Sequence, residues 1–450
     1  MNIDFLLKKF SDNKELPAIV WNGNYYPYEG LLQLITESGE ALEQAGIQRG
    51  MAVALVSDFS PRSIAMLLAL MERDTIVIPL MFNSLPEERE HKLGIAGAEY
   101  VVTINPAIDD ISIEKRDSEP LEHEFYQRLR AEQTCGLLLF SSGTSGQPKA
   151  ALHDFSKLLN KFRVERKTLR TINFLMFDHW GGLNTLFYTL SNAGIVLTID
   201  DRKPESICAF IEKHTVELLP VSPSFLNLLM LSEAYKRHDL SSLSLITYGT
   251  EPMPEHTLRQ AKRIFPEVKF LQTYGLIELG VLRSKSKEDG SLWVKLGGEG
   301  FDLRIVDDIL QIKADSAMLG YLNAPSPFTE DGYFITGDMV LEKDGYYKIL
   351  GRKSEIINVG GEKVYPQEVE NTILELEEVA DATVFGEKNV IMGKVVCARI
   401  MPKDPEAEKR PLIKLVKQHC KKNLQSFKVP VKIEVSTESL TGNRMKKKRA

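Results

Sequence analysis

Between residues 135 and 275 the chain alternates short apolar runs with amphipathic stretches, and this alternation constrains its fold more than any other feature. The runs CGLLLF, NFLMF, IVLTID, VELLPVS, SLITYG and VKFLQTYG have the length and branching of buried strands. Between them lie stretches such as ESICAFIEKH and EHTLRQAKRIF, whose apolar residues recur at helical spacing. Strands without a polar face must be covered on both sides, which predicts a largely parallel sheet with helices on either face. Ligands of such sheets bind beyond the carboxyl ends of the strands.

The same reading extends to both ends. PAIVWNGNYYPY predicts a hairpin around residues 22–24, YEGLLQLITESGEALEQAG a helix closed by Gly46, and MAVALVSD a buried strand. Beyond about residue 280 the chain becomes Gly-rich with short strands, which predicts a small β subdomain over about 281–350. After GRKSEI come a helix at PQEVENTILELE, strands at DATVFGEK and VVCARIM, and a helix at LIKLVKQHCKKNL, together a compact α+β module. The expected fold class is α/β: a large N-terminal domain over 1–350, with parallel-rich sheets covered by helices and the β subdomain, then a small mobile α+β lid over 351–450.

Composition enters for what it excludes. A formal net charge of -6 over 450 residues argues against a chain built to hold nucleic acid or an anionic membrane surface. No apolar run approaches the ~18 residues of a membrane span. Cys135, Cys208, Cys397 and Cys420 lie far apart, without metal-ligand spacing, as expected in a reducing cytosol. The opening MNIDFLLKKFSDNKELPA lacks the long apolar region of a secretory leader, so a cytoplasmic location is the expectation.

The chemistry begins at LLLFSSGTSGQPKAALH, where an apolar strand is expected to run through a loop into a helix. The loop carries Ser141, Ser142, Gly143, Thr144, Ser145, Gly146 and Lys149. Glycines let backbone amides approach oxygens, hydroxyls donate and the lysine adds charge, so the loop reads as a phosphate cradle. It is not a Walker A loop, because Gly143 and Gly146 are three apart and Pro148 precedes the lysine. Further on, QTYGLIEL ends a predicted strand with Tyr274, Gly275 and Glu278, the last placed to hold a magnesium ion. GYFITGDMV sets Asp338 on a tight turn, where a carboxylate can accept from both ribose hydroxyls. GRKSEIINVGGEKVYPQEVE combines Arg352 with the flexible pair Gly360 and Gly361 at a domain junction.

In this order and spacing the motifs resemble those of the adenylate-forming (AMP-binding) superfamily, which includes acyl-CoA synthetases and peptide-synthetase adenylation domains. SSGTSGQPK is similar to its phosphate loop, YGTEP to its adenine-pocket segment, and YGLIE to its Tyr-Gly-x-Thr-Glu motif. MLGYLN resembles the segment before the ribose aspartate, and TGD and GRKSEIINVGGEKVYPQEVE its ribose and hinge motifs. The resemblance implies ATP-dependent activation of a small carboxylic acid to an acyl-adenylate with release of pyrophosphate. A lid rotation and transfer to a thiol follow. That thiol is coenzyme A or, as an alternative, the phosphopantetheine of a carrier protein.

The resemblance also distributes roles. Ser141, Ser142, Gly143, Thr144 and Lys149 would hold the leaving phosphates, with Ser145 and Gly146 in the same loop, and Glu278 with Thr144 would hold Mg²⁺. Gly249, Thr250 and Glu251 would line the adenine slot, Tyr274 would stack there beside Gly275, and Asp338 and Arg352 would fix the ribose. His179 with Gly181 and Gly182 would close the acyl pocket around an aliphatic or aromatic acid, Gly360 and Gly361 would line the thiol tunnel, and Ser354 marks the hinge.

The sequence departs from the family pattern in three places. Ile277 replaces a threonine, Ser354 replaces a charged hinge residue, and Asn443 stands where the family keeps a catalytic lysine. Removing one preorganised donor from a developing oxyanion costs about 3 to 4 kcal/mol, so adenylation needs a substitute cation. Lys446 is the expected one, with Arg444 and Lys447 as neighbours. An adenylation-impaired relative that binds nucleotide or acyl-adenylate is the remaining alternative.

Overall fold

The computed structural model describes residues 3–142, 147–390, 392–438, 440 and 447. Two seven-stranded sheets build the large part of the molecule. Across the first, the strands lie in the order Lys269–Gln272, Leu245–Tyr248, Leu218–Val221, Thr171–Ile172, Val196–Leu197, Pro17–Trp21 and Asn24–Pro27. All neighbours are parallel except the terminal hairpin, whose turn is at residues 22–23. Across the second, the order is Gly320–Tyr321, Pro148–Asp154, Gly136–Ser142, Ile76–Met81, Ala52–Ser57, Tyr100–Asn105 and Asp110–Lys115. Its centre is parallel and its edges antiparallel. Every residue of Ala52–Ser57 is buried, as a strand covered on both faces requires.

Three local expectations fail, each for a physical reason. Asp338, expected on a tight turn, lies inside the strand Phe334–Lys343, which continues through the Thr-Gly pair because Gly337 takes φ 73. The run NFLMF is not a strand: the ladder holds only Thr171–Ile172, and the chain then turns toward the helix Trp180–Ser191. Its apolar residues are buried without a ladder, Phe174 against Phe225 and Phe177 against Phe59. Periodicity cannot separate these two ways of burying a short apolar run. The phosphate loop, expected to open into a helix, instead joins two antiparallel strands in which Ser141 pairs with Lys149 and Ser142 with Pro148. A helix starts only at Phe155, where Asp154 caps it by accepting from the Ser156 amide at 3.0 Å.

The strands Arg283–Ser286, Val294–Gly297, Phe301–Val306, Ile309–Ala314, Phe334–Lys343 and Tyr346–Arg352 form a six-stranded antiparallel sheet. The C-terminal module packs Pro366–Ile373 and Lys409–Asn423 on a five-stranded sheet and has its own apolar core, drawn from residues 357 to 435. A half-buried ion pair joins the two large sheets: Arg202 donates to both oxygens of Asp58, at 2.9 and 3.2 Å, and to the carbonyl of Phe174. The four cysteines are free and buried. Among the described residues no helix is long and apolar enough to cross a membrane.

Candidate active site

Lys149 stands on the strand Pro148–Asp154, opposite Ser141, and its ammonium lies 5.3 Å from the centre of the Tyr321 ring. Tyr321 is brought there because Gly320–Tyr321 pairs with Leu152 and Ala151. The next residues complete a clamp. Asn323 donates to the carbonyl of Pro148 and accepts from the amide of Ala150, both at 2.9 Å, and so fixes the backbone on either side of Lys149. The Tyr321 hydroxyl donates to Glu278 Oε1 at 2.6 Å. Burial, then the charge of Glu278, raises the pKa of that hydroxyl, so it stays protonated and orients the carboxylate.

A second cluster adjoins the first. Asp338 faces Arg352 across adjacent strands, and Arg352 Nε lies 3.2 Å from Asp338 Oδ1. The Tyr274 hydroxyl donates to Asp338 Oδ2 at 2.6 Å, and the Asp338 amide donates to Thr336 Oγ1 at 2.9 Å. Burial raises the pKa of Asp338, while Arg352 and the Tyr274 hydrogen bond work against that shift. Glu278 and Arg352 also feel each other's charge, which joins the two clusters electrostatically. Tyr274, expected as a stacking platform, is 7% exposed with its hydroxyl engaged by Asp338.

The segment at Gly249 follows the strand Leu245–Tyr248. A Cβ on Gly249 would meet the hydroxyl and carbonyl oxygens of Thr273 at 2.5 and 2.7 Å, so only glycine lets these backbones approach. Thr250 has φ 71, a left-handed conformation that a β-branched residue adopts only under strain, as is common at ligand sites. Glu251 accepts from the Ser224 amide at 2.8 Å and from the Lys447 amide at 3.2 Å. Its carboxylate therefore engages backbone on both sides of the segment.

At the expected acyl pocket, His179 Nδ1 accepts from the Gly181 amide at 3.0 Å and caps the helix Trp180–Ser191. A Cβ on Gly182 would lie 2.2 Å from the Met176 carbonyl oxygen, so the turn closes only with glycine there. Gly360 and Gly361 form the turn between Ile357–Val359 and Glu362–Val364, and Ser354 lies exposed in the short turn Lys353–Glu355. Gly275 lies in a two-residue strand beside Glu278. The Ser142 side chain, Gly143, Thr144, Ser145 and Gly146 in the loop, and Asn443, Arg444 and Lys446 in the tail, lie outside the described residues. Lys447 is described, and its ammonium lies among Glu370, Asp381 and the Ala382 carbonyl.

Sequence reasoning passed over Tyr321 and Asn323 as site residues, although MLGYLN contains both. A polar side chain beside a glycine, in a segment too short for a regular element, was the available signal. The residues also bear on a metal. Among the described residues no group of three His, Cys, Asp or Glu side chains converges, so a site built wholly from protein is absent there. A lone buried carboxylate such as Glu278 instead suits Mg²⁺, a hard cation usually bound through one or two carboxylates and the phosphates of its nucleotide.

Residues 7–334 match the family model described as AMP-binding enzyme, and residues 368–447 the one described as AMP-binding enzyme C-terminal domain. The indoleacetate–CoA ligase of Aromatoleum aromaticum is 26% identical over 428 residues, which cover 83% of each chain. The 2-succinylbenzoate–CoA ligase of Listeria innocua is 23% identical over 93% of this chain and 92% of its own. Among solved structures, the anthranilate CoA ligase AuaEII in complex with anthranoyl-AMP superposes with a TM-score of 0.84 at 21% identity, covering 99% of this chain and 95% of that one. ATP-bound MatB from Rhodopseudomonas palustris gives 0.82 at 21% identity, with coverage of 99% and 97%. These superpositions bear on the fold, a large N-terminal part followed by a small C-terminal one.

Proposed function

This chain belongs to the AMP-binding enzyme family, and from that membership we infer that it is an AMP-forming carboxylic acid:CoA ligase. In the first half-reaction an oxygen of the acid attacks the α-phosphorus of ATP, the bond to the bridging oxygen breaks, and pyrophosphate leaves. In the second, the thiol sulfur attacks the acyl carbon and AMP leaves with its phosphate oxygen. The observation that carries this reading is the joined pair of clusters. Lys149 and Glu278 meet through Tyr321, and Asp338 is held between Tyr274 and Arg352.

Each residue has a task in this reading. Lys149 and the cradle hydroxyls would meet the charge that builds on the phosphoryl oxygens. Glu278, held by Tyr321, would bind Mg²⁺, which screens the phosphates when present. Asp338 has both oxygens oriented before ligand arrives, so the ribose hydroxyls would meet a prepared acceptor. The strained backbone at Thr250 and its neighbour Gly249 would form one wall of the adenine slot. Residues 351–450 would act as the lid, turning at Ser354 so that Gly360 and Gly361 line the thiol path.

The acid is aliphatic or aromatic in this reading. The curated relatives named above take indoleacetate and 2-succinylbenzoate, and Phe177 and Trp180 flank the His179 turn. A screen of carboxylic acids for ATP–pyrophosphate exchange, repeated with and without CoA, tests the proposal. Acid-dependent exchange with CoA-dependent AMP release is the expected result. Acid-dependent exchange with AMP release and thioester formation only when a carrier protein is added would favour the carrier alternative. Silence with every acid would favour the adenylation-impaired reading, which Asn443 and Ile277 motivate.

A further inference from the structure

Lys447 joins the two parts of the molecule. The Lys447 side chain is 10% exposed, and its ammonium lies 3.2 Å from Asp381 Oδ1 and 3.7 Å from Glu370 Oε2 and donates to the Ala382 carbonyl at 2.7 Å. Both carboxylates are fixed by backbone: Glu370 accepts from the Val384 amide at 3.0 Å and Asp381 from the Ala382 amide at 2.8 Å. Two buried acids need a cation between them, because removing one partner of a buried pair costs about 3 to 5 kcal/mol. The charge of Lys447 is therefore engaged inside the C-terminal module. Of the three basic candidates to replace the lysine absent at Asn443, only Arg444 and Lys446 remain.

The backbone of the same residue reaches out of the module. The Lys447 amide donates to Glu251 Oε2 at 3.2 Å, while Glu251 Oε1 accepts from the Ser224 amide at 2.8 Å in the first turn of the helix Pro223–Leu231. One carboxylate of the expected nucleotide segment thus bridges the large part and the tail. Two more contacts cross the same seam: Asn227 donates to the Ala380 carbonyl at 3.0 Å and Gln367 to the Met253 carbonyl at 3.1 Å. Ser224, Asn227, Glu251, Asp381 and Lys447 line one small crevice along this seam. At the glycine turn a Cβ on Gly361 would meet nothing within 4 Å, whereas one on Gly360 would meet the Met392 side chain at 2.7 Å, inside the C-terminal module. In this arrangement Lys447 meets the nucleotide segment.

We propose that Lys447 is a positioning residue for the first half-reaction: its side chain fastens the tail to the C-terminal module, and its amide, through Glu251, holds that module in the adenylating arrangement. The contact has to break before the module turns for thiol transfer. The half-reaction assignment rests on the function inferred above, whereas the Lys447–Glu251 contact does not.

The test uses the full chain with Lys447→Met, Lys447→Arg and Glu251→Gln. Without nucleotide, trypsin cleavage after the exposed Arg352 and Lys353 reads the mobility of the module. It is expected to quicken roughly tenfold in Lys447→Met and Glu251→Gln, the size of an ordinary coupling free energy, and to be largely restored in Lys447→Arg. Glu251→Gln leaves the buried acids matched, so it remains informative if Lys447→Met unfolds the module. Indoleacetate, benzoate and hexanoate then serve as probe acids. Lys447→Met should lose pyrophosphate exchange by roughly tenfold while transferring a synthetic acyl-adenylate to CoA at the wild-type rate. Unchanged cleavage in Glu251→Gln, or loss of both half-reactions in step with a lowered melting temperature, overturns the proposal. Wild-type silence toward all acids counts against the inferred function, while the cleavage result still decides the Lys447 contact.

Discussion

Asn323 brackets Lys149, donating to the carbonyl of the residue before it and accepting from the amide of the residue after it, both at 2.9 Å. The clamp crosses from the segment at residue 323 to the strand that leaves the phosphate loop, so it fixes the base of the lysine without using its charge. Replacing Asn323 with Ala leaves two backbone groups to seek other partners, at about 1 kcal/mol each. The expected outcome is a KM for ATP raised roughly tenfold with a smaller change in melting temperature. Steady-state kinetics at saturating acid check it.

Glu278 and Tyr321 should separate by magnitude. Glu278→Gln keeps the shape but removes the charge, so kcat should fall about 10²- to 10³-fold, as for loss of one preorganised transition-state contact. Tyr321→Phe leaves the carboxylate charged but unsteered, and the expected fall is about tenfold. Pyrophosphate exchange over a Mg²⁺ titration distinguishes them, since only Glu278→Gln should raise the Mg²⁺ requirement strongly.

Tyr274→Phe removes the hydroxyl that donates to Asp338. A hydrogen bond to a charged group contributes about 1.5 to 3 kcal/mol, so AMP binding measured by calorimetry should weaken by roughly ten- to a hundredfold. Retention of wild-type affinity would show that Arg352 alone suffices to orient Asp338.

His153 carries a pH dependence whose sign follows from its burial. Burial, the main cause, lowers its pKa to about 4, against the opposing effects of the Ile277 and Ser316 backbone and the Asp154 charge. The unfolded chain binds this proton near pH 6.5 and the folded chain does not, so stability is full above that value and falls as pH drops from about 6.5 to 4. The loss attributable to His153 should reach about 3 kcal/mol. Urea denaturation of wild type and His153→Gln at pH 7 and pH 4.5 should show the smaller pH effect in the variant.

Asp58→Ala should destabilise the fold by about 1.5 to 3 kcal/mol, because the half-buried Arg202 guanidinium loses its charged partner while keeping its hydrogen bond to the Phe174 carbonyl. Asp58→Ala with Arg202→Met should recover much of that loss. A double-mutant cycle from thermal or urea unfolding measures the difference.

The sequence by itself determined the elements whose local signal matches their burial. Ala52–Ser57 is apolar at nearly every position and fully buried, and Pro204–His214 and Glu255–Ile264 carry their apolar residues at helical spacing, so pattern and fold agree. It also marked Lys149, Glu278, Asp338 and Arg352, because charged residues close to glycines in otherwise apolar segments are chemically conspicuous. The tertiary structure alone decided which of them meet. Tyr321 reaches Glu278 only because Gly320–Tyr321 pairs with a strand far away in sequence, and Arg352 meets Asp338 through cross-strand register. It decided that NFLMF buries its rings in a turn, since a short apolar run is equally satisfied by a ladder or by aromatic packing. It also singled out one residue: Lys447, one of a run of basic residues in the sequence, is distinguished by the two carboxylates buried around it and the one that receives its amide. Burial of charge is a property of three-dimensional neighbours, and no spacing along the chain encodes it.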